Sequence, residues 1–125
     1  MRNTPEKGDI VVIDAEPHSG HEFGGHDADS GNIRRHMVVM SSSDYNKSTG
    51  FILGMPITTS QRVANRVGYY PILIPGDKHT GVKGYVVVWQ LQNFDYVSRH
   101  GVIINKINHN LYKELLVYVK DMLDL

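Results

Sequence analysis

Apolar residues along this chain come mostly in short, β-branched runs separated by polar stretches. Residues 8–14 (GDIVVID) form the first such run and predict a buried strand. Residues 34–41, 51–57, 69–74, 83–90 and 101–107 repeat the pattern and predict five more. Pro71 removes a ladder donor, which places its strand at an edge. The run 83–90 is the most apolar and predicts a central strand. Residues 15–33 are rich in Gly, His and Asp and lack periodicity, so they predict a long loop; in a small domain such loops are usually functional or disordered. Ser43-Asp44-Tyr45-Asn46 predicts a turn or one helical turn with a Ser cap, and residues 93–97 predict another short helical turn. Pro75-Gly76-Asp77 is a turn signal.

The period changes near the C-terminus. Leu111, Leu115, Val119 and Met122 or Leu123 recur at helical spacing, with Asn108 or Asn110 as N-cap. Many short strands followed by one helix leave no room for βαβ crossovers. The expected fold is mainly β (α+β): a small, strongly bent antiparallel sheet or partly open barrel with a C-terminal α-helix. Residues 1–125 are expected to form a single domain.

Charge sharpens this picture. The formal net charge is zero, which argues against a generic polyanion binder. Yet residues 1–29 carry seven acids and two bases, while residues 30–99 carry eight bases and three acids. A basic middle on a neutral protein permits selective anion binding, although an ordinary solvated face has the same composition. The chain has no cysteine, so disulfides and Cys-based zinc sites are excluded. Residues 1–8 lack the apolar core of a signal peptide, and no apolar run approaches the roughly 20 residues of a membrane helix. A soluble, cytoplasmic protein without a membrane association is expected.

Two strands end in groups suited to phosphate. Arg34 and Arg35 open one, and Thr58-Thr59-Ser60 closes another. Each has a plain alternative, a solvated edge or a turn. Trp89, Tyr69, Tyr70 and Tyr85 are able to stack bases, with core or subunit packing the preferred reading for Trp89 and Tyr85. His18, His21, His26, Asp27 and Asp29 are metal-ligand types, but their spacing fits no standard zinc site. Asp27-Ala28-Asp29-Ser30-Gly31 has the opening of a calcium loop, but Val38 stands where the closing Glu is needed. No metal or other cofactor is expected.

In order, these motifs form a pattern. Gly8–Asp14, Pro17 and Gly20-His21-Glu22-Phe23-Gly24-Gly25 resemble the opening of the MazF/PemK/Kid family of bacterial toxins. Arg35-His36-Met37-Val38-Val39-Met40-Ser41 resembles that family's Arg-Pro and apolar strand ending in Ser. Pro56-Ile57-Thr58-Thr59-Ser60 and Gln90-Leu91-Gln92-Asn93-Phe94-Asp95 resemble its next two segments, and the terminal helix also matches. The chain departs from the pattern in a longer loop before Arg35, in His36 for the Pro, and in Gln92 for an Arg.

The resemblance implies an SH3-like or CcdB-like barrel, a homodimer, and metal-independent, sequence-selective cleavage of single-stranded RNA. It also implies neutralisation by a cognate antitoxin. It carries catalytic roles onto Arg35, Thr58 and Glu22. Arg34, His36, His21 and Phe23 are expected to contact RNA from the first two motifs. Thr59, Ser60 and Arg62 do so from the third, and Gln90, Gln92 and Asn93 from the fourth. The family alignment favours Arg35 as the catalytic arginine; strand alternation leaves Arg34 with His36 as the other pair. A non-enzymatic alternative is a CcdB-like toxin that poisons DNA gyrase by protein contact.

Overall fold

The computed structural model describes residues 4–15 and 34–125. Among these residues, seven strands and two α-helices follow in chain order: β1 (Asp9–Asp14), β2 (Arg34–Val39), α1 (Ser43–Thr49), β3 (Phe51–Thr58), β4 (Tyr69–Ile74), β5 (Val82–Val87), β6 (Gln92–Asp95), β7 (Val102–Lys106) and α2 (His109–Leu123). The strands pair in the order β4-β5-β3-β2-β1-β7, and β6 adds to β3. All pairings are antiparallel. The expected mainly β, bent sheet with a C-terminal helix is thus the fold observed.

β3 is the hub. Its first half pairs with β6, its middle with β2, and its last two residues with β5. The strand predicted to be central, β5, is instead flanked by β4 and β3; β5 is apolar because its inward residues Val82 and Val86 serve the core. β4 does lie at one end of the order, as Pro71 requires. The segment read as a second helical turn is strand β6 up to Asp95. Its residues 92–95 register against Gly54 back to Phe51, and this cross-strand pairing overrides local turn propensity.

Alternation along the strands gives the sheet two apolar sides. On one, Ile10, Val38, Met55, Ile57 and Val86 pack under α2, which contributes Tyr112 and Leu115. Asn108 caps α2 by accepting from the Leu111 N–H at 2.8 Å, and the Tyr112 hydroxyl donates to the Met40 carbonyl at 2.7 Å. The buried stripe ends near Val119, for Met122 and Leu123 are exposed. On the other side, Val11, Ile13, Met37, Val39 and Ile52 pack with Tyr96. Gly101 makes room for that ring: a Cβ there would overlap the Tyr96 ring atoms.

Several motif residues prove to be structural. Gly8, at φ +87°, donates to Val39 and accepts from Ile107. Asp9 is buried and accepts from the Glu6 N–H at 2.8 Å. Ser41, at the end of the β2 apolar run, receives the Leu53 N–H at 2.9 Å and donates to the buried Asn46. Asn46 in turn donates to the Pro5 carbonyl at 2.8 Å.

Candidate functional site

The register of β2 and β3 decides which side chains can meet. Met37 lies opposite Pro56, Val38 opposite Met55 and Val39 opposite Gly54. The pairing ends at Met37 and Pro56; Arg35 and Thr58 each lie two residues beyond it, so by alternation Arg35 keeps the side of Met37, and Thr58 that of Pro56 and Ile52. Residues level across antiparallel strands share a face, so both belong to the side that carries Met37 and Ile52. Arg35 also registers against Ile13, which sits in that same cluster. The apolar face therefore runs outward into a guanidinium on one strand and a hydroxyl on the next. Both residues are half-buried.

The three consecutive hydroxyls divide their work. Thr58 Oγ1 accepts from the Ser60 N–H at 3.2 Å, which leaves its own hydrogen for another acceptor. Ser60 Oγ accepts from the Arg62 N–H at 3.3 Å and caps a single 3₁₀ turn, Gln61–Val63. Thr59 is exposed and Arg62 projects from the 3₁₀ turn. Across the sheet, Thr58 registers against Tyr85 of β5, whose hydroxyl donates to Gln61 Oε1 at 3.2 Å. Gly84 permits this approach, since a Cβ there would lie 2.4 Å from the Thr58 carbonyl oxygen. Tyr85 thus stands beside the candidate hydroxyl. The apolar pattern of β5 gives no sign of this; only the β3–β5 register does.

The two adjacent arginines have separate surroundings. Arg34 Nη1 donates to Asp14 Oδ1 at 2.6 Å, and His100 Nδ1 lies 2.8 Å from Asp14 Oδ2. Arg99 Nη1 donates to the Asp14 carbonyl at 3.0 Å. Asp14 is buried, and the Arg34 guanidinium, then the His100 ring, hold its carboxyl below the usual range. Arg34 is therefore engaged with a carboxylate on the side of the sheet opposite Arg35. His36 registers against Val12 on that opposite side, and burial pushes its imidazole pKa down, so it is neutral at pH 7. The structure does not bring His36 beside Thr58.

The remaining expected RNA contacts scatter. Gln92 registers against Gly54 and so shares the face of Thr58. Asn93 points the other way and accepts from the Tyr45 hydroxyl at 2.8 Å. Gln90 is half-buried, with its Oε1 enclosed. His21, Glu22 and Phe23 lie outside the described residues, as does the His/Asp-rich stretch weighed for metal binding. Among the described residues, no group of three or more His, Asp or Glu could hold a metal ion. Among them, too, no helix is long and apolar enough to cross a membrane.

Comparison with known proteins adds a family. A model of the PemK-like, MazF-like toxin of type II toxin–antitoxin systems matches residues 6–123. An "Endoribonuclease toxin MazF" from Escherichia coli (strain K12) is 33% identical over 82 residues, which is 65% of this chain and 62% of that protein. An "Endoribonuclease MazF" from Escherichia coli O157:H7 matches over the same share, so the alignment spans less than two thirds of either relative. A crystal structure of MazF (Form-I) from Deinococcus radiodurans superposes with a TM-score of 0.75 at 23% identity, covering 99% of this chain and 100% of that one. A mycobacterial endoribonuclease in complex with its cognate antitoxin gives 0.67 at 14% identity, covering 99% and 97%. At these identities the two structures establish likeness of fold. The family match and the naming of the curated relatives do not favour the gyrase-poison alternative.

Proposed function

Because the chain belongs to the PemK-like, MazF-like toxin family of type II toxin–antitoxin systems, we propose that it is a cytoplasmic, homodimeric endoribonuclease. Its substrate is single-stranded RNA, its chemistry needs no metal, and a cognate antitoxin restrains it. The observation that supports this best is the common face of Arg35 and Thr58 at neighbouring strand ends.

The chemistry follows from the groups. The ribose 2′-oxygen attacks the adjacent phosphorus, the bond from phosphorus to the 5′-oxygen breaks, and the products are a 2′,3′-cyclic phosphate and a 5′-hydroxyl. Negative charge gathers on the non-bridging oxygens in the transition state. Arg35 offers a permanent cation with forked donors for those oxygens. Thr58 offers one neutral hydrogen-bond donor, since its acceptor side is already used by Ser60. A proton must leave the 2′-hydroxyl and another must reach the 5′-oxygen. Glu22 is assigned to this transfer, with His21 as its neighbour in the motif. Gln92, on the same face, and Arg62 and Thr59, beyond Thr58, are assigned to RNA contact.

The test is to incubate the protein with a long RNA in the presence of a chelator and map the cut ends. The expected result is undiminished cleavage leaving 2′,3′-cyclic phosphates. Arg35→Ala and Thr58→Ala should each lower the rate by at least ~100-fold while melting like the parent protein. Full activity in both variants would remove this site.

A further inference from the structure

We propose that Trp89 and Tyr69 form a stacking platform for an unpaired nucleobase of the RNA strand that flanks the scissile phosphate. This rests on the ribonuclease reading above and extends its site along the sheet. Tyr70, Ile72, Ile74, Val82 and Val86 pack inward beneath α2. By alternation Tyr69, Pro71, Lys83 and Tyr85 point outward. Tyr69 registers against Val87, and Tyr85 registers against Thr58. The outer face of the β4–β5 hairpin is therefore continuous with the face of the candidate hydroxyl. Tyr85 and Val87 are about 7 Å apart along β5, and Trp89 follows in the next turn.

The indole is held in place. Its ring lies edge-on to Tyr69, with centroids 6.3 Å apart and planes at 85°. Gly68, at φ +93°, leaves the space it needs: a Cβ there would lie 2.8 Å from Trp89 Cδ1. The Gly68 carbonyl accepts from the Val88 N–H at 3.1 Å, which fixes the turn. Even so, Trp89 is 53% exposed. A single exposed aromatic means little on a protein surface. Here the ring is oriented by Tyr69 and Gly68, and the connection that leads into Gly68 is basic. Arg62 and Arg66 lie on the β3–β4 connection that precedes Gly68, and between Phe51 and Phe94 the sole acid is Asp77. Asp77 sits in the turn at the other end of the hairpin, accepting from the His79 and Thr80 N–H groups. An oriented, exposed indole packed on a strand that a basic connection leads into fits a polyanion with π faces better than an apolar protein surface.

Trp89 is the chain's single tryptophan, so its emission reports on the platform directly. The protein is titrated with a short random-sequence 2′-O-methyl RNA, which lacks the attacking hydroxyl, and with an abasic strand of the same length. Saturable quenching by the first and none by the second is expected. In cleavage of a long RNA, Trp89→Ala should raise KM by about tenfold with kcat retained, and Trp89→Phe should restore most of the loss. Equal response to both strands would overturn the platform. So would emission that changes with protein concentration and not with RNA, or an unchanged KM in Trp89→Ala while RNA is still cut. A parent protein that leaves RNA intact would instead defeat the ribonuclease reading, and the quenching would still decide the platform.

Discussion

The two sides of the sheet are built from the same strands and end differently. Beneath α2, apolar residues of β1, β2, β3 and β5 meet Tyr112 and Leu115, and the helix closes the cluster. On the opposite side the cluster around Met37 and Ile52 runs outward along β2 and β3 until Arg35 and Thr58 replace the apolar side chains. One side is core where the helix covers it and ends in the Arg34–Asp14 ion pair, whose groups already hold each other. The other is core at its centre and polar at its rim. A side chain at that rim is positioned by the packed residues behind it, on strands rather than on a loop, which is what an electrostatic site needs.

The largest expected effect lies on the helix side. Leu115 is fully buried there, so Leu115→Ala should lower stability by about 2–5 kcal/mol. Cleavage per folded molecule should be unchanged, as measured by activity well below the melting point. Loss of cleavage without loss of stability would place the helix in the site and blur the two sides.

A smaller effect separates the neighbouring arginines. Arg34→Ala deprives the buried Asp14 of its closest partner and should cost about 1–3 kcal/mol in a denaturant titration. The rate at saturating RNA should fall far less than in Arg35→Ala. An Arg34→Ala protein of parental stability that no longer cuts would exchange the roles assigned to the two.

The mildest test uses acid. Asp14 has a lowered folded pKa, caused first by Arg34 and then by His100. Its contribution is present above the unfolded carboxylate pKa of about 4 and fades as pH falls through the folded value. The gap in melting temperature between the parent and Asp14→Asn should therefore narrow below about pH 4. A gap independent of pH would mean that the carboxylate charge is not what Arg34 and His100 stabilise.

Much of this architecture was legible along the chain. Short β-branched apolar runs located six of the seven strands among the described residues, and the spacing of Leu111, Leu115 and Val119 located α2. β6 escaped because residues 92–95 have a mixed pattern that becomes a strand only against β3. The terminal apolar stripe is shorter than its spacing suggests, since Met122 and Leu123 are exposed. Motif order named Arg35 and Thr58 as candidates. It gave no hint of Tyr85 beside Thr58, nor of Arg34 turned to Asp14, because both follow from register between segments far apart in sequence.

Local chemistry, by itself, determined where six of the described strands and α2 form and which residue types are able to grip a phosphate: backbone propensity, hydrophobic period and side-chain functional groups are properties of short segments. Which of those groups share a face was decided by antiparallel pairing. A shift of one residue between β2 and β3 would turn one strand's entire set of side chains to the other side of the sheet relative to its neighbour. That register is held by the packing of Met37, Met55 and their neighbours within the folded core, and no single segment contains it.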